Sequence, residues 1–135
     1  MKREMLACLA VAALPVIGAS EDKMPQFNPE GTIRTIISAQ AYYKHKFPAK
    51  GYACDFAALV EANGLKAEVK WTEPLEGYVY RIECPVTGSP QATFRASAVP
   101  TTLGDKVTLC TDETYRIRKA NGPAEMCFQH GVRLR

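Results

Sequence analysis

The 135-residue sequence has few of the side chains and motifs on which most enzyme and metal sites depend. It contains only two histidines, His45 and His130, and no C-x-x-C pair, so neither the paired ligands of a zinc site nor a covalent haem attachment is present. The nucleophile elbow, the phosphate-binding loop, the dinucleotide-binding glycine motif, the H-E-x-x-H motif and the calcium loop are also absent. The sequence therefore predicts no catalytic residue, no metal site and no cofactor.

An excess of charge of one sign is also lacking. The 17 Lys and Arg residues stand against 14 Asp and Glu residues, a net charge of +3, and removing the first twenty residues lowers it to +2. Such a small excess predicts no polyanionic partner. Four arginines of the predicted strands could share one sheet face: Arg81, Arg95, Arg116 and Arg118. The aromatic residues of these strands alternate to the opposite face, so we expect a solvated surface and no nucleic-acid partner.

The amino terminus has the pattern of a secretory signal peptide. A short basic start (MKR) precedes an apolar run, and small residues (GAS) precede the charged Glu21. The run is shorter than the about 20 apolar residues of a membrane span, with an uncleaved anchor as the alternative. We predict cleavage after Ser20, or after Ala19, which makes 1–20 the signal peptide. Residues 21–135 then form one domain, secreted or periplasmic, with no stable membrane span.

Four cysteines remain after this cleavage: Cys54, Cys84, Cys110 and Cys127. An even number in a small exported domain predicts two disulfides, and three pairings are open. We prefer Cys54 with Cys84 and Cys110 with Cys127, because each cysteine is then joined to a near neighbour along the chain. Each loop closure would contribute roughly 3–4 kcal/mol to the free energy of unfolding. A cysteine nucleophile with a histidine base is the less favoured alternative, because thiols pair off in an oxidising compartment.

Residues 28–48 carry the longest helical pattern of the chain. Asn28 can cap the first turn, Pro29 suits the first helical position, and Pro48 ends the helix. Apolar side chains recur at helical spacing and form one stripe: Ile33, Ile36, Ile37, Ala41, Tyr43 and Phe47. An amphipathic helix of this length must be covered by other elements.

The rest of the chain favours short strands and turns. A second helical segment covers 54–64, with Asp55 as its cap, and residues 65–71 form a weak strand pattern. The clearer strand patterns are 77–85, 92–98, 106–110 and 115–118. Asp55, Asp112 and Glu113 are candidate acids or bases, but a helix cap and a turn explain the two aspartates better. The predicted fold class is α+β, with one long amino-terminal helix on a roughly four-stranded antiparallel sheet.

The order of these segments resembles a known family. A capped helix with the stripe TIRTIISAQAYYKHKFP leads into GYACDFAAL, then into GYVYRIEC, and then into the pair ATFRASAVPTTLG and KVTLCTDETYRIRK. This order resembles the globular part of bacterial type IV pilins and pseudopilins over about residues 28–119. The resemblance implies a pilin-like fold and no catalytic residues.

Two departures from the family pattern bear on function. Pilins keep a long apolar amino-terminal helix for filament assembly, whereas here the apolar run precedes a small-residue cleavage site, so the exported chain would lack the polymerising helix. Tyr115 stands where the family has a glycine between the last two strands. The first hypothesis is an exported, non-catalytic pilin-like module that joins a type IV pilus or a type II secretion-like apparatus through its globular face or sheet edge. The alternative is a secreted ligand- or peptide-binding protein or inhibitor on the same scaffold.

Overall fold

A computed structural model describes residues 28–102, 104 and 106–134. The predicted signal peptide and the cleavage site at Ser20 and Glu21 lie outside the described residues. The elements in chain order are α1 (Pro29–Lys46), α2 (Phe56–Glu61), β1 (Tyr78–Glu83), β2 (Arg95–Pro100), β3 (Thr108–Asp112), β4 (Arg118–Ala120), α3 (Ala124–His130) and β5 (Val132–Arg133). None of the described helices is long and apolar enough to cross a membrane.

Local signals define the limits of α1, as predicted. The Asn28 side chain accepts a hydrogen bond from the Gly31 N–H at 2.6 Å and so satisfies one of the free donors of the first turn. Pro29 occupies the first turn, and the helix ends before Pro48. The apolar side of the helix is buried, with Ile33 and Ile36 fully inaccessible to solvent. Burial of each isoleucine contributes about 1.5–3 kcal/mol to the free energy of unfolding.

The sheet contains five antiparallel strands among the described residues, in the order β1-β2-β3-β4-β5, and each strand pairs with the next along the chain. The α+β class with one long helix is confirmed, but the expected count of about four strands is wrong. The additional strand comes from the segment after Gly122, which forms α3 and returns to pair β5 with β4. One face of the sheet, the inner face, packs against α1 through Tyr78, Tyr80, Phe94, Ala96, Ala98 and Leu109.

The short helix α3 covers part of the opposite, outer face of the sheet. It contacts β3 and β4 most closely and β2 to a smaller extent. As a result β3 is buried on both faces, from Thr108 to Thr111, and Ser97 of β2 is also buried. The alternation of Phe94, Ala96 and Ala98 with Arg95 and Ser97 predicts an exposed Ser97. This prediction is wrong because α3 lies over this part of the sheet.

Two other predicted elements differ from the structure. Residues 65–71 form turns and no strand; Trp71 there stacks on Phe56 of α2, with ring centroids 5.6 Å apart. The fourth strand begins at Arg118, three residues later than predicted. The turn after Asp112 is longer than expected. Within it, Tyr115 adopts a left-handed conformation with φ of 66°, at the position where the family has a glycine.

A buried glutamine ties α1 to the chain that follows it. Gln40 is fully inaccessible, and its amide makes two hydrogen bonds with the backbone of Ala53: the side-chain N–H donates to the carbonyl at 2.8 Å, and the side-chain oxygen accepts from the N–H at 2.9 Å. Both polar groups of Ala53 are satisfied in this way within an apolar core. Since Ala53 precedes Cys54, the contact positions the first disulfide.

Replacement of this amide should therefore destabilise the fold. We expect Gln40→Met to lower the free energy of unfolding by about 2–4 kcal/mol, because the N–H and C=O of Ala53 are left buried without partners. The measurement is chemical denaturation followed by circular dichroism.

The matched control is Gln129→Met, since the amide of Gln129 is exposed and its bond among the described residues is to the exposed Glu125 side chain. It should change stability by less than about 0.5 kcal/mol. Equal effects of the two substitutions would contradict the structural role of Gln40.

Candidate functional site

The structure contains two disulfides, Cys54–Cys84 and Cys110–Cys127. These are the pairs preferred from the sequence. The first bond joins the segment before α2 to the end of β1, and the second joins β3 to α3. Cys110 and Cys127 are fully buried, whereas Cys54 is exposed and Cys84 is half-buried. The two bonds therefore differ strongly in solvent access.

This difference predicts a fixed order of reduction. Before treatment, no free thiol should be detected at the four bonded cysteines. Under limited reductant, Cys54 and Cys84 should be alkylated at least about tenfold faster than the other pair, because thiol–disulfide exchange requires access of the attacking thiolate. Peptide mapping after alkylation measures both rates. Denatured protein, in which both bonds are accessible, is the control. Preferential reduction of Cys110–Cys127 in the folded protein would refute the predicted order.

The remaining candidate residues of the sequence do not form a common site. His45 and His130 lie exposed in the last turns of α1 and α3. Asp55 caps α2 by accepting the Ala58 N–H at 2.8 Å. Across the described part of the chain, no group of three or more His, Cys, Asp or Glu side chains could hold a metal ion.

The carboxylates near the end of β3 also have structural partners. Asp112 accepts hydrogen bonds from Thr114 in the turn and forms an ion pair of 3.1 Å with Arg118. Glu113 accepts the N–H of Phe94 at 3.3 Å. These contacts explain the presence of both side chains without acid–base chemistry.

The predicted arginine stripe is interrupted on the outer face. Arg95 lies over the Phe128 ring of α3, 4.6 Å from its centroid, and 3.7 Å from Glu125. Arg118 is paired with Asp112, and Arg116 lies in the turn before β4. Of these four arginines, Arg81 alone lies in an exposed strand position. Because α3 and acidic side chains divide the arginines, they do not form one continuous basic surface.

A cluster of two tyrosines and a lysine lies where α1 ends. The hydroxyls of Tyr52 and Tyr115 are 3.0 Å apart, and the Lys44 ammonium lies 4.7 Å from the centroid of the Tyr52 ring. Partial burial raises the pKa of Tyr115 to about 12, and the hydrogen bond with Tyr52 adds to the rise. The cluster links α1 to the turn between β3 and β4.

The raised pKa predicts a loss of stability at alkaline pH. Between the unfolded pKa of 10 and the folded value of about 12, the unfolded state releases the Tyr115 proton first, so unfolding becomes more favourable as pH rises. The stability advantage of the wild type over Tyr115→Phe should therefore shrink across this interval. Denaturant titrations at several pH values measure the difference. Parallel curves of unfolding free energy against pH for the wild type and Tyr115→Phe would contradict the raised pKa of Tyr115.

A concave surface follows the open edge of β1. We call it the β1 edge groove; it has a volume of about 640 Å³ and is lined by Asp55, Phe56, Ala57, Thr72, Val79, Tyr80, Arg81, Ile82 and Glu83. Five consecutive β1 residues line it, and side chains of consecutive strand residues point to opposite faces. The groove therefore runs along the strand edge and not over one face, with the start of α2 as its other wall.

A smaller depression of about 420 Å³ lies between α1 and the turn after α2. Its charged residue, Arg34, forms an ion pair of 2.7 Å with Glu30, and Gly64 lies close to Ala39. The surface is open and offers no convergent set of polar groups.

Comparison of the chain with protein-family models, with curated proteins and with solved structures finds no match. The functional assignment therefore depends on the geometry and chemistry of the described residues.

The β1 edge groove is not predicted by the strand and helix patterns of the sequence. Two local signals point to it: Pro74, which cannot donate a hydrogen bond to a neighbouring strand, and the Glu76-Gly77 pair, which forms a tight turn. Glu76 and Gly77 have positive φ angles, 48° and 84° respectively. These signals predict a turn, but the position of α2 beside the strand is a tertiary property.

Proposed function

We propose that the protein is an exported, pilin-like structural or interaction module without catalytic activity, associated with a type IV pilus or a type II secretion-like apparatus. The observation that carries this proposal is the packing of the long helix α1 on an antiparallel sheet that two disulfides hold together. Disulfides persist in oxidising compartments, which supports a periplasmic or extracellular location.

The roles of the chemistry-bearing side chains support the non-catalytic part of the proposal. Asp55 caps a helix, Asp112 stabilises a turn, and the four described cysteines are bonded in pairs. A thiol nucleophile would require a free thiolate near a base. The exposed surface of β1 and the β1 edge groove are the regions on which a protein partner could bind.

A secreted peptide- or ligand-binding protein on the same scaffold is the second candidate. The groove volume of about 640 Å³ favours it, since ligand sites commonly measure about 300–1,000 Å³. The groove is lined by both apolar and charged side chains, as binding sites for extended peptides are.

Quantitative affinity purification tests the two candidates. The tagged, exported protein is recovered from the envelope and soluble fractions of its native cells, and the co-purifying proteins are compared with those of the reduced and alkylated protein. We expect components of a pilus or secretion apparatus to be enriched from the envelope with the oxidised protein only.

Enrichment of one discrete soluble partner, without envelope components, would instead establish the second candidate. Amino-terminal sequencing of the same exported material tests the export prediction, which requires a chain that begins at Glu21 or Ser20. Recovery of a chain that begins at Met1 in the membrane fraction would refute it.

A further inference from the structure

The free edge of β1 presents unpaired backbone groups. Tyr78 exchanges two hydrogen bonds with Leu75, at 2.8 and 3.0 Å, across the tight turn, so its N–H and C=O point away from β2. Backbone groups of alternate residues point to the same edge of a strand. The N–H and C=O of Tyr80 and Ile82 therefore also point away from β2.

The chain before the turn does not cover these groups. An antiparallel continuation of the Leu75–Tyr78 pair would place Glu73 opposite Tyr80. The Glu73 N–H instead donates to the Lys70 carbonyl at 3.1 Å, and Pro74 has no N–H to donate. The segment thus turns away from β1 after one residue pair. Tyr80 and Ile82 are left facing the β1 edge groove, where another strand can bind.

The side chains along this edge carry opposite charges two residues apart. Arg81 and Glu83 lie on the outer face of β1, and both are exposed. Among the described residues, no carboxylate lies within salt-bridge distance of Arg81, and Glu83 is only loosely held, 4.0 Å from Arg95. A complementary antiparallel strand therefore carries an acid opposite Arg81, a base opposite Glu83 and an apolar residue between them.

The sequence Arg81-Ile82-Glu83 meets that requirement itself. When two copies of β1 run antiparallel about a two-fold axis at Ile82, the two Ile82 residues form the central hydrogen-bonded pair. Each Arg81 then lies directly opposite Glu83 of the partner copy on the same sheet face. These flanking pairs are of the non-hydrogen-bonded kind, whose Cα atoms approach to about 4.5 Å.

We propose that the protein self-associates through this edge, by antiparallel pairing of β1 with β1 of a second copy in the register centred on Ile82. Such an interface is self-complementary, as two-fold symmetry requires, and it joins two five-stranded sheets into one. The neighbouring symmetric registers are less favourable: one centred on Arg81 places the two Arg81 side chains opposite each other, and one centred on Tyr80 places Arg81 opposite Val79. The proposal is independent of any pilus or secretion apparatus.

Charge exchange tests both the interface and its register. Sedimentation velocity of the exported wild-type protein should show a dimer at micromolar concentration. Arg81→Glu alone and Glu83→Arg alone should each weaken dimerisation at least about tenfold, because each places like charges opposite each other at two symmetric positions. The double variant Arg81→Glu/Glu83→Arg should recover the wild-type affinity.

An equimolar mixture of the two single variants gives the most specific outcome. In the proposed register, every pair between the two variants joins an acid to a base, so they should form a heterodimer although neither forms a homodimer. A register centred on Arg81 would instead let the Arg81→Glu variant pair with the wild type as readily as with the Glu83→Arg variant, because both of these chains keep Arg81. That result would overturn the proposal.

Matched controls separate the edge from general electrostatics. Arg116→Glu and Glu68→Arg change the same charges at exposed positions outside β1, and they should leave dimerisation unchanged. Circular dichroism of every variant checks that the fold is retained, since Glu83→Arg also removes the weak contact with Arg95.

Ile82→Pro tests the backbone pairing without a change of charge. Proline removes the central N–H, which points away from β2, so the β1–β2 ladder should survive while the dimer is lost. A monomeric wild-type protein at high micromolar concentration, or a dimer that Ile82→Pro and the single charge reversals leave intact, would refute the proposal. A monomer that binds only strands of other proteins would refute it equally.

Discussion

The two hydrogen bonds between Gln40 and Ala53 are the constraint on which the rest of the structure depends. They join the middle of α1 to the residue before Cys54, in a region without access to water. A buried amide with both partners in place is specific in direction, whereas apolar packing alone tolerates small shifts. The position of Cys54 then determines where the first disulfide holds the end of β1, and where α2 begins beside that strand.

The second disulfide has a different consequence, because it acts on the outer face of the sheet. Cys127 brings α3 against Cys110, and α3 covers the outer face of β2, β3 and β4. Charged side chains at the margin of α3 are paired, with Arg95 between Glu83 and Glu125. The outer surface of β1 is left open. The resulting sheet is covered on both faces at its central strand, β3, and is accessible at the edge formed by β1.

This asymmetry connects the two functional proposals without making one depend on the other. A structural or interaction module needs an accessible surface on a rigid body, and the disulfides and the double-sided burial of β3 provide the rigidity. The edge strand supplies backbone groups and a charge pattern that repeats under two-fold rotation. The short strand β5, which ends the opposite edge, offers few backbone groups for such pairing.

Local chemistry in the sequence was sufficient for some features of the fold. The limits of α1, the Asp55 cap and the preferred cysteine pairs follow from caps, prolines and chain separation, which involve residues near one another in the sequence. The burial of Gln40, the helix α3, the fifth strand and the open edge of β1 were decided only by tertiary structure. Each of these depends on contacts between distant segments, which caps, turns and periodicity within one segment do not specify.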